Sequence, residues 1–150
     1  MRLGGVAIPH SRGLAGHSDG DVLLHALADA ILGACSAGSL GEHFPDDQDS
    51  QEGADSSLFL RRARDLAAEK GFSIGNADAV VVAESPKIAP HRERLRARVA
   101  EILGLDKAAV SVRGTSSNGL GFPGRGEGIA AIAVVLLVPS NSKSEIRNPK

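Results

Sequence analysis

The stretch Ile129-Ala-Ala-Ile-Ala-Val-Val-Leu-Leu-Val138 constrains this chain most. It carries no charge and no polar side chain. It falls well short of the roughly 20 apolar residues a helix needs to cross a bilayer. Its β-branched and aliphatic content reads as one long strand. Near-continuous apolarity predicts burial on both faces, as an oligomer could provide. A strand of this kind must sit in a sheet covered by other elements, so it needs helices from elsewhere in the sequence.

The sequence supplies them. Leu3 to Ile8 reads as a short strand stopped by Pro9. Helix one is expected from Ser18 to about Cys35, with Ser18 as N-cap and Asp21 three positions on completing a capping box. Gly38 to Asp55 is a long polar loop of the kind that carries function. Helix two runs from about Ser56 to Lys70, closed by Gly71. Ala77 to Ala83 is a buried strand, and helix three follows Pro86 and Pro90 and ends near Leu103. Val110 to Arg113 is a strand, and Thr115 to Gly128 is a glycine-rich loop. The order β-α-α-β-α-β-β predicts an α+β fold, a small mixed β-sheet with helices packed on one face. One domain is expected over 1–138, followed by a disordered polar tail over 139–150.

Composition narrows the function classes. The formal net charge is -1, which gives no electrostatic case for nucleic acid or an anionic membrane as partner. There is no Trp and no Tyr to stack bases. Cys35 is the only cysteine, so no intrachain disulfide forms, and inside an apolar run it reads as inert packing. The N-terminus lacks the apolar core of a signal peptide. A cytoplasmic location is expected, or a plastid after removal of a transit peptide.

Chemistry-bearing residues concentrate at a few places. Asp21, His25 and Asp29 are four apart and share one stripe of an otherwise apolar helix. Burying such groups is costly unless they are paired or bind something. One reading is metal ligation by His25, with a carboxylate as outer partner; the other is a capped helix with one satisfied core histidine. One His does not make a zinc site, which needs several protein ligands. His17 and Ser18 lie at the helix mouth, where exposed N–H groups favour phosphate. Asp46 and Asp47 are adjacent carboxylates able to organise a hydrated cation, or a solvated turn. Gly119, Gly121 and Gly124 form a literal Gly-x-Gly-x-x-Gly, but Pro123 and a following strand exclude the dinucleotide reading. Hydroxyls and glycine amides there can still cradle phosphate.

His17-Ser-Asp-Gly-Asp-Val-Leu-Leu-His25, Phe44-Pro-Asp46, Ser85-Pro-Lys87 and Gly119-Leu-Gly-Phe-Pro-Gly-Arg-Gly-Glu-Gly128, in this order, resemble the 2-C-methyl-D-erythritol 2,4-cyclodiphosphate synthase family over nearly the whole chain. The resemblance implies a homotrimer with active sites between subunits, and a small nucleotide-linked substrate, 4-diphosphocytidyl-2-C-methyl-D-erythritol 2-phosphate. The products would be the 2,4-cyclodiphosphate and CMP, a step of the non-mevalonate isoprenoid pathway. It also implies Zn2+, or another divalent cation, on one phosphate, and Mg2+ or Mn2+ with the substrate diphosphate. By position, His25 matches a zinc ligand. His17 and Ser116 match catalytic positions, and His17 and Ser18 also match substrate contacts. Ser39, Leu40 and Gly41, then Phe44, Pro45, Asp46, Asp47 and Gln48, match the erythritol side. Ala83, Glu84, Ser85, Pro86, Lys87, Ile88 and Ala89 match a cytidine pocket reached from the neighbouring subunit. Thr115, Ser116, Ser117 and Asn118 match diphosphate and base contacts. Phe122 and Arg125 match residues near the trimer's central channel.

Five features depart from the family pattern. Its Asp-x-His strand, the source of two further zinc ligands, has no counterpart in these 150 residues, so the zinc site is expected to be incomplete. Ser39 and Gln48 stand where Asp is usual, Ser116 where Thr is usual, and Asn118 where Glu is usual. The alternative expectation is therefore a catalytically impaired trimeric member that binds nucleotide or prenyl diphosphate.

Overall fold

In the computed structural model, residues 1–14, 18–45 and 53–140 are described. Two two-residue strands open the chain, β1 (Arg2–Leu3) and β2 (Val6–Ala7), paired antiparallel as a hairpin. The single strand expected over Leu3 to Ile8 is thus a tight hairpin. Gly4 and Gly5 turn it with φ of 58° and 71°. Two successive positive φ values match the right-handed twist of the flanking strands and suit glycine.

Next come α1 (Val22–Ala34), α2 (Leu40–His43) and α3 (Ser56–Glu69). The cap of α1 corrects the expectation from sequence: Asp21, not Ser18, is the N-cap, its carboxylate accepting the Leu24 N–H at 3.1 Å. The loop after α1 contains α2, a single turn. Ser39 starts that turn; Glu42 Oε1 accepts both the Ser39 N–H at 3.1 Å and its hydroxyl at 2.9 Å.

The main sheet has three strands in the order β4-β3-β5: β3 (Phe72–Val82), β4 (Val110–Thr115) and β5 (Ala130–Pro139). α4 (Arg92–Leu103) crosses from β3 to the parallel β4, and α5 (Gly121–Gly124) is one turn inside the glycine-rich segment. β5 pairs antiparallel with β3 along almost its full length. Strand β3 begins five residues before the expected Ala77. The register slips between Ile74 and Asn76, so Gly75 is an extra residue bulged out of the ladder. The bulge keeps Ile74 and Ala77 both on the buried face although they are an odd number of residues apart. Pro139 pairs with Phe72, and Ser140 N–H donates to Gly71 O at 2.9 Å, so the sheet takes in the first residues of the expected tail. Residues 141–150 lie outside the described set.

One core forms between the sheet and the helices. Leu24, Leu27 and Ile31 of α1, Leu60 of α3 and Leu95 and Val99 of α4 pack with Ala79, Val81, Val110 and Val112. The α+β reading, helices against a mixed sheet, is borne out. Burial of β5 on both faces is not found within the chain. Ala133, Val135 and Leu137 pack on the core, while Ile132, Val134 and Leu136 are 62%, 68% and 55% exposed. Among the described residues no helix is long and apolar enough to cross a membrane.

Candidate active site

The stripe on α1 separates into three roles. Asp21 is fully buried. Its carboxylate accepts Gly4 N–H at 2.8 Å and Gly5 N–H at 2.7 Å as well as that of Leu24. It ties the hairpin turn to the helix start. Burial pushes its carboxyl above the ordinary value, and the three backbone donors pull it part of the way back. Asp29 accepts the Leu40 N–H at 2.6 Å and so fixes the entry to α2. Neither carboxylate is bonded to His25, so the outer-partner reading fails for both. His25 alone turns to the open space beside α1. Its Nε2 lies 3.4 Å from Ser18 Oγ, and its ring stacks on Phe59 with centroids 5.6 Å apart. Phe59 in turn meets Phe44 at 4.7 Å.

That space is a cleft of about 660 Å³. Its walls include Ser18, His25, Leu40, Gly41, Phe44 and Ser85 of the expected site, from four separate parts of the chain. The loop Ser18–Asp21 is held by Asp19, which accepts the Ser56 hydroxyl and, at 3.3 Å, the Ser56 N–H. This contact sets the start of α3 against the start of α1, and with it the Phe59 wall against His25. His17, Asp46, Asp47 and Gln48 lie outside the described residues.

A second group gathers at the ends of β3 and β4. Glu84 accepts the N–H groups of Ser117 and Gly119, both at 3.1 Å. Chiefly the Gly119 bond, then that of Ser117, holds the Glu84 carboxyl below its ordinary value. The Ala83–Ala89 turn and the Thr115–Asn118 loop are thereby joined. Ser85–Pro86 is a cis peptide bond. The Ser116 hydroxyl donates to Asn118 Oδ1 at 3.3 Å, and Asn118 has a φ of 54°. Lys87 is exposed. Among the described residues of one chain this group and the His25 cleft share Ser85; Thr115 to Asn118 and Lys87 do not line the cleft. Phe122 is 48% exposed, and Arg125 is paired with Glu127 through bonds of 2.8 and 2.9 Å.

Several wall residues escape sequence reasoning. His10 and Arg12 stand in no motif of the sequence, yet both line the cleft. Phe59 of α3 stands in no motif either, and it too lines the cleft. Nothing local marks them, because contacts made across the fold bring them to the cleft.

The donors among the described residues do not form a complete zinc site. Among the described residues no three His, Cys, Asp or Glu side chains converge. His25 offers one nitrogen, and Asp21 and Asp29 are committed to backbone N–H groups.

Comparison with known proteins identifies the family. The YgbB family matches residues 1–138. The 2-C-methyl-D-erythritol 2,4-cyclodiphosphate synthase of Ectopseudomonas mendocina is 54% identical over 138 residues, covering 92% of this chain and 88% of its own length. A bifunctional enzyme IspD/IspF of Hyphomonas neptunium is 58% identical over 139 residues, and the match spans 37% of that longer protein. Among solved structures, that of the Plasmodium falciparum IspF in complex with CDP has a TM-score of 0.81 at 37% identity, covering 93% of this chain and 83% of that one. The chain therefore belongs to the YgbB family, that of the 2-C-methyl-D-erythritol 2,4-cyclodiphosphate synthases.

Proposed function

We propose that the chain converts 4-diphosphocytidyl-2-C-methyl-D-erythritol 2-phosphate to 2-C-methyl-D-erythritol 2,4-cyclodiphosphate and CMP. The observation that carries this is the cleft at the head of α1, where Ser18, His25 and Phe44 meet, in a chain 54% identical to a synthase of that name. An oxygen of the 2-phosphate attacks the β-phosphorus. The bond from that phosphorus to the bridging oxygen breaks, and CMP leaves with the electron pair. Intramolecular phosphoryl transfer of this kind asks the protein for positioning and charge neutralisation rather than covalent chemistry.

The chain's own residues divide that work. The Ser18 hydroxyl and His25 face the phosphates, with Phe59 holding the imidazole plane. Leu40, Gly41 and Phe44 wall the erythritol and exclude water. The Glu84–Ala89 turn and the Thr115–Asn118 loop receive the cytidine diphosphate, and the CDP bound to the Plasmodium relative supports a nucleotide ligand. A divalent cation would supply Lewis-acid neutralisation of phosphate, and His25 is the described residue suited to hold one.

The two groups of residues are separate within one chain, which supports sites shared between copies in a homotrimer. Ile132, Val134 and Leu136 form an apolar row on the uncovered sheet face suited to that assembly. A cytoplasmic location fits a chain of this composition. One observation favours a second reading, nucleotide binding with impaired turnover: Asn118 offers a neutral amide already bonded to Ser116. The test is CMP release from the substrate by purified chain supplied with Zn2+ and Mg2+, followed by chromatography. Steady CMP production establishes the activity; nucleotide binding without CMP release establishes the second reading.

A further inference from the structure

We propose that Arg12 is a phosphate-binding residue of the cleft, set in place by His10, and that it neutralises the substrate from a wall other than that of His25. This deepens the proposed function and rests on it. Arg12 is the one Arg or Lys among the described residues lining the cleft. The one carboxylate there, Glu127, is taken by Arg125 through two short bonds. Met1 also lines the cleft, its N-terminal ammonium donating to Ile8 O at 3.3 Å. The remaining polar groups on the described walls are hydroxyls, imidazoles and backbone, so the walls carry an excess of positive charge to which Arg12 contributes the one guanidinium.

The segment that carries Arg12 is held in place through side chains at both ends. His10 Nδ1 accepts the Arg12 N–H at 3.2 Å, and His10 Nε2 lies 3.1 Å from Ser85 Oγ. Arg12 Nη1 donates to Gly126 O at 3.1 Å. The segment thus joins the turn after β3 to the loop before β5. A guanidinium has five N–H donors in a rigid fork. Among the described residues only Nη1 of Arg12 has a protein acceptor. That bond orients the group and leaves the other donors for an anion. A guanidinium fork matches two phosphate oxygens at once, and its orientation in advance lowers the entropy lost on binding. The proposed substrate brings three phosphate groups into this space, and among the described wall residues Arg12 is the one side chain that offers them a guanidinium fork.

The test measures affinity for CDP and for uncharged cytidine, by calorimetry, in the wild type, Arg12→Ala and Arg12→Lys. Arg12 is exposed, and matching melting curves check that the variants are folded. Arg12→Ala should weaken CDP binding about tenfold or more, leave cytidine affinity unchanged, and flatten the dependence of CDP affinity on salt; Arg12→Lys should recover part of the loss. Equal CDP affinity in Arg12→Ala and wild type overturns the proposal, as does an equal loss for cytidine. CMP release separates the two ideas. A wild type that binds CDP through Arg12 but releases no CMP keeps the phosphate contact and rejects the activity. A wild type that releases CMP, with Arg12→Ala unchanged in both CDP affinity and KM, does the reverse.

Discussion

Replacing Asp21 by Ala should cost this protein much of its stability. The carboxylate is fully buried and accepts three backbone N–H groups. Losing the cap of α1 costs about 1 kcal/mol. Leaving the N–H groups of Gly4 and Gly5 without their carboxylate acceptor adds about 1–3 kcal/mol for each. The sum is about 3–7 kcal/mol, a large share of a typical domain's margin. For a chain of this length that lowers the melting temperature by on the order of 10 °C. Asp21→Asn should fall between the two proteins, since its single carbonyl oxygen serves some of the donors while its NH2 faces the rest. The assay is urea unfolding followed by circular dichroism at fixed protein concentration, which removes any shift due to assembly. If Asp21→Ala stays within about 0.5 kcal/mol of the wild type, the carboxylate does not tie hairpin to helix as described. If Asp21→Ala instead leaves stability unchanged and weakens metal retention, Asp21 is the outer partner of a His25-bound ion after all.

Other outcomes follow from the same structure. The Glu84 carboxyl titrates below its ordinary value of 4.5, so its hold on the Ser117–Gly119 loop is complete above that pH and is lost as pH falls through the folded value. Glu84→Gln should speed hydrogen exchange of the Gly119 amide at neutral pH, and equal exchange in both proteins would refute the contact. Val134→Asp places a charge in the exposed row of β5 and should convert the proposed trimer to monomer in sedimentation velocity; an intact trimer would clear that face of any role in assembly. Phe59→Ala removes a ring that is 6% exposed and should cost about 3–5 kcal/mol. A melting temperature within 2–3 °C or so of the wild type's would mean the His25 wall does not depend on it.

Local signals carried much of the fold. The helix Ser56–Glu69 was legible to within a residue because an amphipathic run is closed by Gly71. The apolar run ending at Val138 could only be a strand, and it is one. The start of β3 was hidden for a physical reason. Gly75 is bulged, so alternation breaks between Ile74 and Ala77, and Ser73 and Asn76 add polar residues to the stretch. The N-cap of α1 was misassigned because Ser18 and Asp21 fit a capping-box spacing, whereas the actual cap is decided by a hairpin turn seventeen residues away at Gly4. The site divides along the same line. Ser18, His25 and Phe44 stood in recognisable motifs and share the cleft. His10, Arg12 and Phe59 were not legible, because contacts with Ser85, Gly126 and His25 bring them there.

The central claim is that the His25 cleft closes the cyclodiphosphate ring. It is tested most directly by 31P NMR of the reaction mixture, wild type beside His25→Ala, with CDP affinity measured for both. The account predicts one CMP and one cyclic diphosphate per substrate consumed by the wild type. It predicts a rate at least about a hundredfold lower in His25→Ala, with CDP still bound. Ring closure by His25→Ala at the wild-type rate would contradict it.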